Sequence, residues 1–115
     1  MQPVRYDKNS RRSRMVEAGG LLFFAGQVAD DWDGDIAEQT RQTLARIDAL
    51  LAEAGSDRSK VLTVQIWIAD MADFDAMNAV WDAWIDPENP PGRACGKVEM
   101  ADPRIKVEMI PVAAK

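Results

Sequence analysis

The chain has 115 residues, with no histidine, a single cysteine, and 19 acidic against 14 basic residues for a net charge of −5. This composition excludes catalysis by a Ser-His-Asp or Cys-His arrangement, zinc sites built on histidine, and an internal disulfide bond. It also disfavours a nucleic-acid partner, because phosphate backbones are bound by clustered positive charge. The length predicts one domain that spans residues 1–115.

The amino-terminal segment and the apolar runs indicate where the protein works. Residues 1–15 lack the apolar stretch of a signal peptide. The longest apolar run, near residues 21–25, is too short to span a bilayer. We therefore expect a cytoplasmic protein with no membrane partner. The basic cluster of Arg11, Arg12 and Arg14 is typical of a solvated segment that leads into a strand.

The first half of the chain predicts two strands followed by a helix. Strands are expected at residues 14–18 and 21–28, around a glycine pair that suits a tight turn. Apolar residues at helical spacing then predict a helix over residues 36–54. Gly55 is expected to end this helix.

The next segments predict a strand and a second helix. Residues 59–69 are rich in apolar and β-branched side chains. One face of this strand is wholly apolar and is expected to meet a helix layer; it carries Leu62, Val64, Ile66 and Ile68. A helix capped by Asp70 follows, and a proline-rich stretch ends it.

The second helix carries a mostly apolar stripe with one polar member. Trp81 and Trp84 lie on this stripe and are expected in the core or at an interface. Asn78 lies on the same stripe, and we expect its side chain to bond to backbone near the helix rather than to a ligand.

The last two predicted strands, residues 93–100 and 104–112, are separated by a short turn and are expected to form a hairpin. Strand alternation then places Arg93 and Cys95 toward the open face of the sheet, with Glu108 on the same side. The order of elements indicates an α+β fold with two helices on one face of a mixed sheet. An open face that carries apolar residues indicates an oligomer.

The spacing of these polar strand residues allows two interpretations and slightly favours the first. Arg93 and Glu108 would form a cross-strand ion pair on a solvated face, with Cys95 as a small core residue. Alternatively, Arg93 would hold a carboxylate through its two-pronged guanidinium, and Glu108 would orient or deprotonate a water molecule.

Four stretches, taken together and in order, resemble the RidA/YjgF family of reactive intermediate deaminases. They are "AGGLLFFAGQV", "EQTRQTLARIDALLAEAGSD", "DMADFDAMNAVWDAW" and "PPGRACGKVEM" with the later "IKVEM". The resemblance extends from about residue 11 to residue 113. It implies a chorismate-mutase-like fold with a mixed six-stranded sheet and two helices packed on one face. It also implies a homotrimer with its sites between neighbouring subunits.

The resemblance implies a reaction and a role for three residues. Family members hydrolyse 2-imino or 2-enamino acids to the 2-keto acid and ammonia, without a metal or an organic cofactor. Arg93 falls on the arginine that pairs with the substrate carboxylate, and Glu108 on the glutamate that positions the attacking water. Cys95 falls on a position whose backbone helps to fix substrate and water, and its thiol is not expected to be a nucleophile.

The chain departs from the deaminase-type pattern at two places, and these changes resemble a divergent branch of the family. Arg11 or Arg12 lies near the position of the family's tyrosine, and even in that branch an aromatic residue is usual where Arg12 lies. Ala25 replaces a serine and removes a hydroxyl. A second arginine near the site favours a more acidic substrate, such as a dicarboxylic imine, so Arg11 and Arg12 are further candidate substrate-binding residues.

Two other functions remain as alternatives at this stage. The same cleft would serve a non-catalytic protein that binds a small carboxylate or 2-keto acid, since Arg93 supports both functions. Ribonuclease activity is a label attached to parts of this family. The acidic composition and the lack of histidine disfavour it.

Overall fold

A computed structural model describes residues 2–115 as two α-helices packed on one six-stranded sheet. The predicted α+β fold is therefore confirmed. The strands are β1 (Val4–Lys8), β2 (Ser13–Ala18), β3 (Leu21–Phe24), β4 (Val61–Ile68), β5 (Gly92–Lys97) and β6 (Val107–Ala114). The helices are α1 (Ile36–Glu53) and α2 (Phe74–Trp84). Within the described part of the chain, neither helix is long and apolar enough to cross a membrane.

The order of strands in the sheet is β1-β2-β3-β6-β4-β5, and only β4 and β5 run parallel. The predicted hairpin between the last two strands is wrong, because β4 lies between β5 and β6. The physical reason is α2, which carries the chain back so that β5 pairs in parallel with β4, as in a βαβ unit. The chain then passes over the end of β4 before it enters β6.

Strand β1 is absent from the sequence-based prediction; it forms one edge of the sheet and pairs with β2. Its five residues include two basic side chains and one acidic side chain, and four of the five are exposed. Such a strand lacks the apolar alternation that marks half-buried strands. Charged residues are typical of sheet edges, where they discourage pairing with another chain.

The core lies between the helices and one face of the sheet. Leu44, Ile47 and Leu51 of α1 are almost fully buried, as are Ile66 of β4 and Met109 of β6. Removing this apolar surface from water stabilises the layered arrangement.

One residue that the sequence places in the core lies at the surface in the structure. Leu62 is 49% exposed, and Val61 is buried instead. The reason is a register irregularity between Val61 and Thr63, which shifts the alternation at the start of β4.

The ends of α1 agree with the sequence. Asp35 caps its amino terminus by accepting a hydrogen bond from the Glu38 N–H at 2.9 Å. Gly55 follows its carboxyl terminus with a φ of 77°, a conformation that favours glycine. The predicted helix over residues 36–54 is therefore confirmed to within one residue.

A buried side chain of α1 fixes the entry to β6. The amide of Gln39 donates to the carbonyls of Trp32, Gly34 and Arg104 at 2.9–3.0 Å. Its oxygen accepts from the backbone N–H of Lys106 at 2.9 Å. These bonds connect the acidic loop before α1 to the segment that precedes Glu108.

Candidate functional site

Arg93 lies near the start of the edge strand β5, on the side of the sheet that carries the helices. It pairs in register with Val64, which is buried beneath the helices. Its guanidinium carbon lies 5.2 Å from the ring centroid of Trp81 on α2. The expectation that Arg93 faces the open side is therefore wrong, because it assumed hairpin pairing in place of the parallel pairing with β4.

Cys95 follows on the same side of β5, opposite Ile66, and is half-buried against the core. Burial raises the pKa of the Cys95 thiol, an effect that the nearby charge of Arg93 partly opposes. The neutral thiol is a poor nucleophile at neutral pH. Because β5 is an edge strand, part of its backbone has no strand partner and is free to bind other groups.

Glu108 lies on the opposite face of the sheet, in β6. It pairs in register with Trp67 and is half-buried beside Gly26. Within residues 2–115, its carboxylate forms no hydrogen bond or ion pair. Burial raises the pKa of Glu108 above the usual range of a glutamate carboxyl.

A single subunit therefore does not bring Arg93 and Glu108 together. Their strands are separated by β4, and their side chains leave opposite faces of the sheet. The predicted arrangement with both on one face is wrong, and so is the cross-strand ion pair. Any site that uses both residues takes them from two copies of the chain.

Arg11 and Arg12 lie in the turn between β1 and β2. Both of their backbone N–H groups donate to the side-chain oxygen of Asn9, at 2.8 and 2.9 Å. The Arg12 guanidinium also donates to the Asp7 carbonyl at 2.6 Å. The side chain of Arg11 is exposed. Arg12 thus already has one backbone partner, whereas Arg11 has a solvent-exposed guanidinium.

The face of the sheet that carries Glu108 is rich in apolar groups. Phe23 is 44% exposed, and it pairs in register with Val112 of β6. Ile110 and Trp67 lie on the same face and are only partly buried. This surface is available to a second protein surface. Among residues 2–115, no three His, Cys, Asp or Glu side chains are grouped so that they could hold a metal ion.

Asn78 of α2 is the polar residue on the apolar stripe of this helix. Its side-chain oxygen is buried without a hydrogen-bond partner in the described residues, so the expected backbone bond is absent. Asn78 lies one helical turn before Trp81, which carries the Arg93 guanidinium. Leaving a buried acceptor without a partner is energetically costly. The sequence already marks Asn78 as unusual, because it is a polar residue on an otherwise apolar stripe.

Replacement of Gly26 by alanine is expected to displace the Glu108 carboxylate without unfolding the protein. A Cβ at this position would overlap the Oε2 atom of Glu108, so the carboxylate must move. Because the obstructing atom is the flexible end of a side chain, we expect the melting temperature to shift by less than about 4 °C, or roughly 1 kcal/mol. If Glu108 is a catalytic group, this displacement is expected to lower kcat roughly 10- to 100-fold.

Thermal melts and steady-state kinetics of Gly26→Ala, alone and combined with Glu108→Gln, check this prediction. If the glycine acts through the carboxylate, Gly26→Ala has little further effect once Glu108 is replaced. An equal loss of kcat from Gly26→Ala in the wild-type and Glu108→Gln proteins would contradict the prediction.

Comparison with known proteins defines the class. The sequence pattern of the family described as Endoribonuclease L-PSP matches residues 5–115. A RutC family protein of Haemophilus ducreyi is 40% identical over 111 residues, which cover 96% of this chain and 95% of that protein. The chain therefore belongs to this family, also called YjgF/RidA, and the resemblance seen in the sequence is confirmed.

Solved structures support the same assignment. A protein of Pseudomonas aeruginosa is 46% identical, with a TM-score of 0.97, and the match covers 99% of each chain. A YjgF-family protein of Neisseria meningitidis is 41% identical, with a TM-score of 0.96, and the match covers 100% of this chain and 96% of that one. Two helices on a mixed six-stranded sheet are thus the shared fold.

Proposed function

We propose that the protein hydrolyses reactive 2-imino and 2-enamino acids to 2-keto acids and ammonia. The observation that carries the proposal is the exposed guanidinium of Arg93, which has no hydrogen-bond or ion-pair partner among residues 2–115. In a chain with 19 acidic residues, an arginine with unoccupied donors is suited to a carboxylate ligand. Glu108 then supplies the acid–base group.

The reaction requires few catalytic groups, because an imine carbon is already electrophilic. Arg93 would bind the substrate carboxylate and fix the imine carbon beside a water molecule. Glu108 would accept a proton from this water as its oxygen bonds to the imine carbon, and it would then deliver that proton to the imine nitrogen. Collapse of the resulting carbinolamine expels ammonia and leaves the keto group. An enamine substrate must first gain a proton on carbon to become the imine.

The proposal includes a homotrimer, in which the open sheet faces pack together and each site lies between two subunits. The exposed apolar side chains on the Glu108 face support such packing, because water-exposed patches of this kind favour association. The placement of Arg93 and Glu108 on opposite faces supports a site shared by two copies. Mass in solution tests this part directly, since a monomer lacks the shared site.

The test of the reaction is imine hydrolysis in a coupled assay. An amino acid oxidase generates 2-imino acids from a panel of amino acids, and semicarbazide competes for the imine. The wild-type protein is expected to divert imine to keto acid, whereas Arg93→Ala does not. Failure of the wild type on every imine would overturn the deaminase proposal. Binding of a 2-keto acid without turnover would identify a non-catalytic carboxylate-binding protein instead.

The same panel tests whether Arg11 and Arg12 favour a more acidic substrate. The exposed Arg11 side chain would add a second positive charge near the site for a second carboxylate. Imines derived from aspartate and glutamate are compared with those from apolar amino acids, in the wild type and in Arg11→Ala and Arg12→Ala. An unchanged preference in both variants would contradict this part of the proposal.

The family description names an endoribonuclease, so RNA is included as a competing substrate. The net charge of −5 disfavours RNA binding, which is mostly electrostatic. Salt-dependent RNA cleavage that is lost in Glu108→Gln would favour ribonuclease activity over deamination.

A further inference from the structure

We infer that Trp81 is a positioning residue for Arg93, because its ring face holds the guanidinium in the orientation that receives the substrate carboxylate. The inference rests on the proposed function, since it takes the carboxylate-binding role of Arg93 as given. Trp81 is buried, as expected from the sequence, and its ring also contacts Arg93.

Arg93 differs from two other arginines that lie over tryptophan rings, because it has no carboxylate partner in the described part of the chain. Among residues 2–115, three arginines lie over tryptophan rings at 5.1–5.2 Å. Arg58 also donates to the Asp48 carboxylate at 2.8 Å, and Arg104 donates to the Asp102 carboxylate at 3.1 Å. Arg93 has no such acidic partner. Its stacked guanidinium is therefore the one whose donors remain available.

Contact with the Trp81 ring leaves the donors of Arg93 without a hydrogen-bond partner within the described residues. A cation over an aromatic face is attracted by the ring quadrupole, and tryptophan provides the strongest such attraction. A guanidinium has five N–H donors, and those of Arg93 form no hydrogen bond or ion pair among residues 2–115. The ring thus limits the motion of a long side chain and leaves its two-pronged edge for a carboxylate. Restricting that motion before binding reduces the entropy lost when the ligand binds.

The ring of Trp81 is itself held in place. Trp81 is only 5% exposed, and its centroid lies 5.6 Å from that of Trp84. The indole N–H of Trp84 donates to Asp48 of α1 at 2.9 Å. Contacts therefore run from α1 through two rings to Arg93, and a fixed ring is what a positioning role requires.

The test measures binding of 2-oxobutanoate, a 2-keto acid product analogue, by calorimetry in Trp81→Tyr, Trp81→Phe and Trp81→Leu. The dissociation constant is expected to rise in that order, reaching roughly five- to thirty-fold for leucine, which lacks the ring. In the imine assay KM rises and kcat is retained, because the carboxylate contact is present in both ground and transition states. The matched control is Met77→Leu, which replaces a fully buried residue on the same helix and is expected to leave the dissociation constant unchanged.

The outcomes separate this inference from the proposed function. If Arg93→Ala loses binding while all three Trp81 variants bind like the wild type, the inference is wrong and the proposed function stands. If Arg93→Ala binds like the wild type, the carboxylate-binding role itself is wrong. A merely structural role predicts that affinity follows melting temperature across the Trp81 and Met77 variants. A positioning role predicts instead that the dissociation constant depends on the aromatic ring. It should then differ between the tyrosine, phenylalanine and leucine variants independently of their melting temperatures.

Discussion

Arg93→Ala is expected to lower kcat/KM for 2-imino acids roughly 100- to 1,000-fold, because a two-pronged charged pair contributes about 3–4 kcal/mol. The melting temperature should change little, since the side chain is exposed and, among residues 2–115, it forms no hydrogen bond or ion pair. Steady-state kinetics and thermal melts of the same preparation measure the two effects separately.

Arg93→Lys is the matched control, because it keeps the charge and the length but not the planar fork. We expect the lysine to attract the substrate carboxylate but not to form the two parallel hydrogen bonds that orient it. The activity of this variant should therefore lie between those of the wild type and the alanine variant. An alanine variant with wild-type kcat/KM would contradict the assigned role of Arg93.

Glu108→Gln is expected to lower kcat roughly 100-fold or more while the assembly remains intact. Glutamine has nearly the same shape but cannot accept the proton of the attacking water. Rates under saturating substrate, with mass in solution as the structural control, check this prediction. A variant that keeps the wild-type kcat would exclude Glu108 as the proton acceptor.

The pH profile provides a second test of Glu108. Burial raises the pKa of its carboxyl above the usual glutamate range. In the proposed mechanism the ionised form acts as the base, so activity should rise with pH through this raised pKa and be lost below it. The acid limb should therefore lie at higher pH than for an ordinary glutamate, and it should disappear from the residual activity of Glu108→Gln.

Local features of the fold were predictable from sequence, whereas strand pairing was not. The length of α1, its capping and the role of Gly55 follow from spacing and residue type within a few turns of chain. The position of β6 between β3 and β4 depends on contacts between distant segments. A short turn before β6 therefore predicts a hairpin that the fold does not contain, and a register irregularity at Leu62 reverses one expected orientation.

The same limit applies to the candidate site. Arg93, Cys95 and Glu108 stood out because polar or reactive side chains are unusual inside strands. Their placement on two faces of the sheet could not be inferred, since strand alternation fixes a side only after the pairing is known. The stacking of Arg93 on Trp81 and the unpartnered oxygen of Asn78 depend on how α2 packs over β5, which no local pattern encodes.

The most direct test of the central claim is complementation between two inactive variants. Arg93→Ala and Glu108→Gln subunits with different affinity tags are co-expressed, and complexes that carry both tags are purified. If each site takes Arg93 from one subunit and Glu108 from its neighbour, every mixed trimer contains one intact site, and roughly one third of wild-type imine hydrolysis is restored. Mixed trimers as inactive as the parent variants, or a failure to obtain any complex with both tags, would contradict a shared site between subunits.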